Sequence, residues 1–250
     1  LQADDQSNVG ADLPKITDPL KLADAVAVKL VYTRQPSDRK VISPNTAVVS
    51  GVVFEIQPVV EARDNDGNLD IDFAGTVTLS LDLGQGTLSG TLVKKASSGA
   101  ANFTGAGIKY TVFGNEDGEK FGIMASSDGV AFADTQPGLA ADVVAVKLVF
   151  AVTPRHAGTP NGDVMSGIVF NTQPVIEARD ADNNLDRDFS EQITVKLAVG
   201  PGNLLGVKTV QSAAGAAIFT NLAYSANTDQ ESFTIQADDE ANVHTDLAFV

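Results

Sequence analysis

The chain contains no cysteine and no tryptophan, only two histidines and two methionines, and it is short of positive charge. Without cysteine there are no disulfide staples, thiol nucleophiles or Cys-ligated zinc. Small secreted eukaryotic domains usually depend on disulfides, so the same absence points towards a bacterial or archaeal source. The 17 Lys and Arg are outnumbered by 32 Asp and Glu, giving a formal net charge of −15 and a pI near 4.3. Phosphate binding needs a surplus of cations, so nucleic acid is excluded as a partner, and anionic lipid is disfavoured. No apolar run is long enough to cross a bilayer as a helix, and membrane insertion is not expected. The opening Leu1-Gln2-Ala3-Asp4-Asp5 lacks the basic and apolar regions of a signal peptide, which suggests a mature or excised fragment. Three tyrosines with no tryptophan offer little of the aromatic platform usual in sugar binding. His156 and His244 match no metal-ligand spacing and are expected in solvent-exposed loops. Ser97, Ser98, Ser126 and Ser127 have no histidine paired with them, so no hydrolase triad is expected and the chain reads as non-catalytic.

What the sequence does contain is a duplication. Pro58-Val59-Val60-Glu61-Ala62-Arg63-Asp64 recurs as Pro174-Val175-Ile176-Glu177-Ala178-Arg179-Asp180, a spacing of 116, and twelve of sixteen positions through Phe73 and Phe189 are identical. Val26-Ala27-Val28-Lys29-Leu30-Val31-Tyr32 recurs as Val144-Ala145-Val146-Lys147-Leu148-Val149-Phe150, a spacing of 118. In addition, Gln2 to Leu13 matches Gln236 to Leu247 at eight of twelve positions. The chain therefore divides into residues 1–20, the closing strand and linker of a preceding repeat, then repeats at 21–136 and 137–250. Residues 1–20 have a second reading, as a donor strand that completes a neighbouring molecule's sheet.

Apolar residues within each repeat follow period 2. Val26, Val28, Leu30 and Tyr32 share one face, as do Phe54, Ile56, Val60 and Ala62, and Val77, Leu79 and Leu81; the second copy keeps the phase with Val144, Val146, Leu148 and Phe150, and with Ile193, Val195 and Leu197. Asp66-Gly67-Asn68, Gly84-Gln85-Gly86, Ser98-Gly99, Gly114 to Gly118 and Gly200-Pro201-Gly202 punctuate these runs as turns. About seven short strands per repeat predict an all-β fold of two tandem immunoglobulin-like β-sandwich domains. The Pro-containing linker, Ala133 to Ala140, predicts a semi-rigid stacking of the two. Glu61, Arg63, Glu177 and Arg179 fall on outward faces, where ion pairs across the sheet are expected.

One constellation has possible chemistry: Asp64-x-Asp66-Gly67-Asn68-x-Asp70-x-Asp72 and its twin Asp180-x-Asp182-Asn183-Asn184-x-Asp186-x-Asp188. Oxygen donors at alternate positions of a tight loop suit Ca2+, which takes six to eight oxygens. The pattern departs from an EF-hand loop, with Leu69 and Leu185 at the position of the sharp-turn glycine. The plainer reading is an Asx-rich turn whose aspartates cap backbone amides.

The run from Val59 to Leu69, followed by Gly75-Thr76-Val77-Thr78-Leu79-Ser80-Leu81, resembles the bacterial Ig-like repeats of invasin- and intimin-type surface adhesins, which carry an Asp-x-x-Gly-Asn turn before a Val-Thr-Val-Thr strand. Gly99-Ala100-Ala101-Asn102-Phe103-Thr104 and Gly215-Ala216-Ala217-Ile218-Phe219-Thr220 resemble that family's Gly-x-Ala-x-Phe segment. The extra aspartates of the acidic loops depart from it. The resemblance implies an extracellular, cell-surface structural or adhesive role as a stalk, with neighbouring repeats of the same protein as partners. A self-assembling filament subunit is the alternative.

Overall fold

The computed structural model describes residues 2–3, 16–38, 47–130, 138–156 and 163–239. Its strands, in chain order, begin with β1 (Gln2–Ala3), β2 (Ile16–Thr17), β3 (Lys29–Arg34), β4 (Ala47–Val49), β5 (Val59–Arg63) and β6 (Thr76–Leu83). Next come β7 (Thr87–Ser89), β8 (Val93–Lys95), β9 (Ala100–Asn102), β10 (Lys109–Thr111), β11 (Glu119–Ser127) and β12 (Leu139–Asp142). The second copy supplies β13 (Lys147–Val152), β14 (Val175–Arg179), β15 (Gln192–Val199), β16 (Asn203–Leu205), β17 (Thr209–Gln211), β18 (Ala216–Ile218), β19 (Ala223–Ser225) and β20 (Thr234–Asp238). No helix occurs among the described residues. The protein is all-β, two immunoglobulin-like sandwiches in tandem.

In the first sandwich, the sheet β3-β5-β9 faces the sheet β4-β12-β11-β6-β8, with β10 and β7 forming a ribbon. The second keeps the three-stranded sheet as β13-β14-β18 and the ribbon as β16-β19, but among the described residues its other sheet has three strands, β17-β15-β20, with no counterpart of β4 or β12. Alternation explains the registers. On β5, Val60 and Ala62 are buried and Glu61 is half-buried on the other face; on β14, Ile176 and Ala178 take the same places. Both β3 and β13 carry a register shift at the same point, after Tyr32 and Phe150, a bulge that increases local twist.

Each sandwich has its own core. Tyr110 stacks on Phe121 with ring centroids 3.9 Å apart, beside Phe54 and Phe103; Tyr224 stacks on Phe233 at 3.8 Å, beside Phe170 and Phe219. A glutamine, buried in the first copy and half-buried in the second, cross-links two segments outside the strands. Gln57 Nε2 donates to Phe54 O (2.8 Å) and Ile108 O (3.1 Å) while its Oε1 accepts from Ile108 N (3.0 Å), and Gln173 does the same with Phe170 and Leu222.

Several expectations are corrected. Ladder pairing starts at Lys29 and Lys147, so Val26, Val144 and Val146 are exposed instead of facing the core. His156 is buried, 2% exposed, not in solvent: its Nδ1 accepts from Met165 N at 3.1 Å and its ring lies edge-on to Phe170. His244 lies outside the described residues. The outward ion pairs join neighbours on one strand, Glu61 with Arg63 and Glu177 with Arg179, not partners across the sheet.

The linker also behaves in a way the division at 136/137 does not contain. β12, on the second-repeat side of that boundary, pairs inside the first sandwich: antiparallel to β11 (Glu119 with Ala141, Phe121 with Leu139) and parallel to β4 (Ala141 with Val48). Leu139, Ala141 and Val143 belong to the first core. Of the N-terminal segment, β1 and β2 form an antiparallel ribbon, Gln2 opposite Thr17 and Ala3 opposite Ile16.

Candidate functional site: the acidic loops and the junction

The two acidic loops fold alike because the same side chains close them. Asp64 Oδ1 accepts from Asn68 N (2.8 Å) and Oδ2 from Asn68 Nδ2 (3.0 Å); Asp180 and Asn184 repeat the pair at 2.8 and 2.9 Å. Gly67 and Asn183 stand at the left-handed position of the turn, φ 88° and 69°, where glycine and asparagine are the residues that fit without strain. Arg63 and Arg179 then donate to the carbonyls of Gly67 and Asn183, clamping the turn.

One step further on, Asp70 Oδ2 accepts from Ala27 N (2.7 Å) and Oδ1 from Phe73 N (2.9 Å); Asp186 likewise holds Ala145 N (2.8 Å) and Phe189 N (2.9 Å). Asp64, Asp70, Asp180 and Asp186 thus have both oxygens engaged by N–H groups. The Asn68 side-chain amide lowers Asp64's pKa, and the Ala27 amide leads the causes that lower Asp70's. Asp66, Asp72, Asp182 and Asp188 are exposed. Asp72 is pushed up, first by its hydrogen-bonded neighbour Asp70 and then by the charge of Asp24.

In the first loop Asp70 and Asp72 are hydrogen-bonded to each other, and in the second copy the fold brings Asp188 to carboxylates from elsewhere. Asp117, Asp142 and Asp188 each place one carboxylate oxygen within 4.8 Å of the others. Asp117 lies in the turn between β10 and β11, Asp142 closes β12, and Asp188 is the last residue of the acidic loop of the second sandwich. Burial, then the charges of Asp188 and Asp117, push Asp142 up to about 6. Burial and the hydrogen-bonded Asp188 push Asp186 up as well. Its counterpart Asp70 is held low, so the two loops differ in surroundings, not in local fold.

Around this triad the sandwiches are hydrogen-bonded to each other. Asn115 Oδ1 accepts from Leu185 N (3.0 Å), Asn115 O from Arg187 Nε (3.0 Å) and Asp117 Oδ2 from Arg187 N (3.1 Å), while Asp117 Oδ1 accepts from Val143 N (2.9 Å). Asn115 itself is left-handed, φ 68°, which turns its carbonyl and side chain towards the second loop. Gly51 backs onto Asp182 so closely that a Cβ there would collide with the carboxylate.

Three oxygen donors at this separation fit a hard cation bound at 2.3–2.6 Å, with the remaining positions open to water. Of the ten loop residues, Asp188 alone belongs to the group; Asp117 and Asp142 lie outside the loop pattern. A signal for Asp142 existed, since Asp24 and Asp142 occupy the same place in the segment repeated at spacing 118.

No family model matches the chain, and no curated protein matches it. Among solved structures it is similar to the D0-D1 domain of intimin, with 12% identity over 88% of this chain and 94% of that chain and a TM-score of 0.29. The fold assignment rests on the strand order and cores described above.

Proposed function

We propose that the chain is a non-catalytic structural or adhesive segment of an extracellular bacterial surface protein, a semi-rigid stalk stiffened by Ca2+ at its junction. The observation that carries this reading is β12. A linker that is also a core strand of the first sandwich leaves four residues, 143–146, before the second sandwich's first strand. Asn115 and Asp117 then hold the acidic loop of the second sandwich directly, so rotation about the linker costs hydrogen bonds from both sides. A spacer needs this property; a flexible tether would not need a built junction. The duplication and the adhesin-like segments at Gly99 and Gly215 support the same reading, and neighbouring repeats of the same protein are the natural partners.

Ca2+ would be held by Asp117, Asp142 and Asp188, and the charge it supplies would offset their mutual repulsion. Asp66 and Asp182 then remain solvated turn residues. Small-angle scattering and thermal unfolding, in EDTA and in millimolar Ca2+, test both parts. An extended, single-conformer pair is expected in both buffers. A cation that binds only the folded junction at a hundred times its Kd adds about 2.7 kcal/mol, a rise of several degrees that Asp188→Asn abolishes. A compact or freely hinged pair would refute the stalk, and equal midpoints in both buffers would refute the cation.

A further inference from the structure

The two sandwiches are copies, so a feature that only one of them carries is not required by the fold. Beside Gln57 the first sandwich has a cleft of about 530 Å3, between residues 53–57 and the turn at 104–107, with Arg34 in its wall. That volume falls in the range of roughly 300–1,000 Å3 usual for small-molecule sites. Every lining residue is described and belongs to the first sandwich. Two of its parts are missing from the second copy. After the shared bulge Arg34 pairs with Val59, and Val152 takes that place opposite Val175. Gln57 and Gln173 mark equivalent amides, those of Ile108 and Leu222. Gly105, Ala106 and Gly107 precede the first of these, whereas Asn221 alone separates Thr220 from the second, and its Oδ1 accepts from Val207 N.

Arg34 is fixed in place without being neutralised. Its Nε donates to Gln57 O (2.9 Å), and Nη2 donates to Thr104 Oγ1 (2.5 Å) and Asn102 Oδ1 (3.3 Å), all uncharged acceptors. Arg63 and Arg179 are paired with Glu61 and Glu177, but no ion pair joins Arg34 to a carboxylate among the described residues, in a chain where acids outnumber bases 32 to 17. A guanidinium held this way keeps its charge and its Nη1 donors for a ligand. The glycine turn faces the same space. Gly105 and Gly107 are left-handed, φ 77° and 65°, and Ala106 between them is not. Such alternation lets neighbouring N–H groups converge into an anion-binding hollow. Neither glycine N–H donates to a protein acceptor among the described residues, and a Cβ on either would meet nothing within 4 Å, so a ligand can approach the backbone closely. Val53, 49% exposed, and Ile56 add an apolar wall. Glu55, exposed on the same cleft, penalises an anion of two charges more than one of a single charge.

We infer that this cleft binds a single carboxylate carried on an apolar body, the chemistry of a peptide's C-terminal residue. Arg34 and the glycine amides take the carboxylate, and Val53 and Ile56 take the apolar part. The site lies within one sandwich and requires no neighbouring repeat, so it stands or falls separately from the stalk.

The test is an NMR titration of the full-length chain with three probes: acetyl-Ala-Leu with a free carboxylate, the same peptide as its C-terminal amide, and galacturonate. The acid is expected to shift the Gly105 and Gly107 amides and Arg34 Nε saturably, and less so in high salt; the amide should leave them unmoved. Arg34→Gln should weaken binding about tenfold or more. That substitution also removes the bond to Gln57 O, so Val53→Glu provides a second arm. It alters an exposed side chain, leaves Arg34 in place and sets a negative charge in the cleft; binding should fall as far while the thermal midpoint stays that of the parent. Four results overturn the inference: no saturable shift up to the solubility of the peptide, equal binding of acid and amide, binding undiminished by both substitutions, or tighter binding of galacturonate, whose body is polar.

Discussion

Replacing Asp142 by Asn tests whether the junction is under electrostatic load. The side chain is half-buried beside two other carboxylates, and its pKa is pushed up to about 6, against about 3.9 in an unfolded chain. A raised pKa for an acid means that the folded state binds more protons between those two values. Asp142 is therefore without cost below about pH 4, and it subtracts stability progressively as pH rises through 6. Two pH units correspond to about 3 kcal/mol as an upper bound; the group is half open to water and salt, which reduces the expected effect to about 1 kcal/mol. Asn has the same shape, and the strand bonds of β12 run through the backbone, so the substitution removes charge and little else. In EDTA at pH 7.5, Asp142→Asn should unfold a few degrees higher than the parent chain. The difference should shrink in high salt and vanish at pH 4. Calorimetry across that range is the measurement. An unchanged or lower midpoint at pH 7.5, or a gain that persists at pH 4, would refute the load.

Other substitutions probe the framework. Leu139→Ala should cost about 2–5 kcal/mol, and the loss should fall on the first sandwich, which hydrogen exchange of β11 would register. Gln57→Leu strips an acceptor from the buried Ile108 amide and a donor from two carbonyls; at about 1–3 kcal/mol per unsatisfied group, urea denaturation should show a loss of about 3 kcal/mol. Gly86→Ala should destabilise by about 1–3 kcal/mol, because a Cβ there meets the Thr111 carbonyl and the Tyr110 ring; a neutral result in thermal unfolding would mean that the β6–β7 turn gives way easily. Glu119→Gln should also destabilise at neutral pH. Burial pushes that carboxyl up, but the amides of Gln85, Phe113 and Gly86 and the Tyr110 hydroxyl hold it below the ordinary glutamate range. Its contribution is present above the unfolded pKa and fades as pH falls through the lowered one.

The strands that cover one core face were readable because alternation is a local property: Val60 and Ala62, Val77 and Leu79, Ile193 and Val195 all face inward as their spacing requires. The acidic turns were equally local. Asp64 reaches Asn68 four residues on, and a left-handed Gly67 or Asn183 sits between them. The strand phase ran too far upstream at Val26 and Val144 because periodicity does not mark where a partner strand ends. His156 was misplaced because a loop composition says nothing about which core it folds over.

Composition, period and internal repetition determined the fold class, the duplication and the capped acidic turns, since each depends on residues a few positions apart or on a copy of the same words. Tertiary structure decided the rest. β12 has no alternating signature, because Leu139, Ala140 and Ala141 are all buried, and a strand covered on both faces looks like any short apolar run. The carboxylates of Asp117, Asp142 and Asp188 meet because a turn, a linker strand and a loop of the next sandwich are folded against one another; no spacing along the chain encodes that meeting.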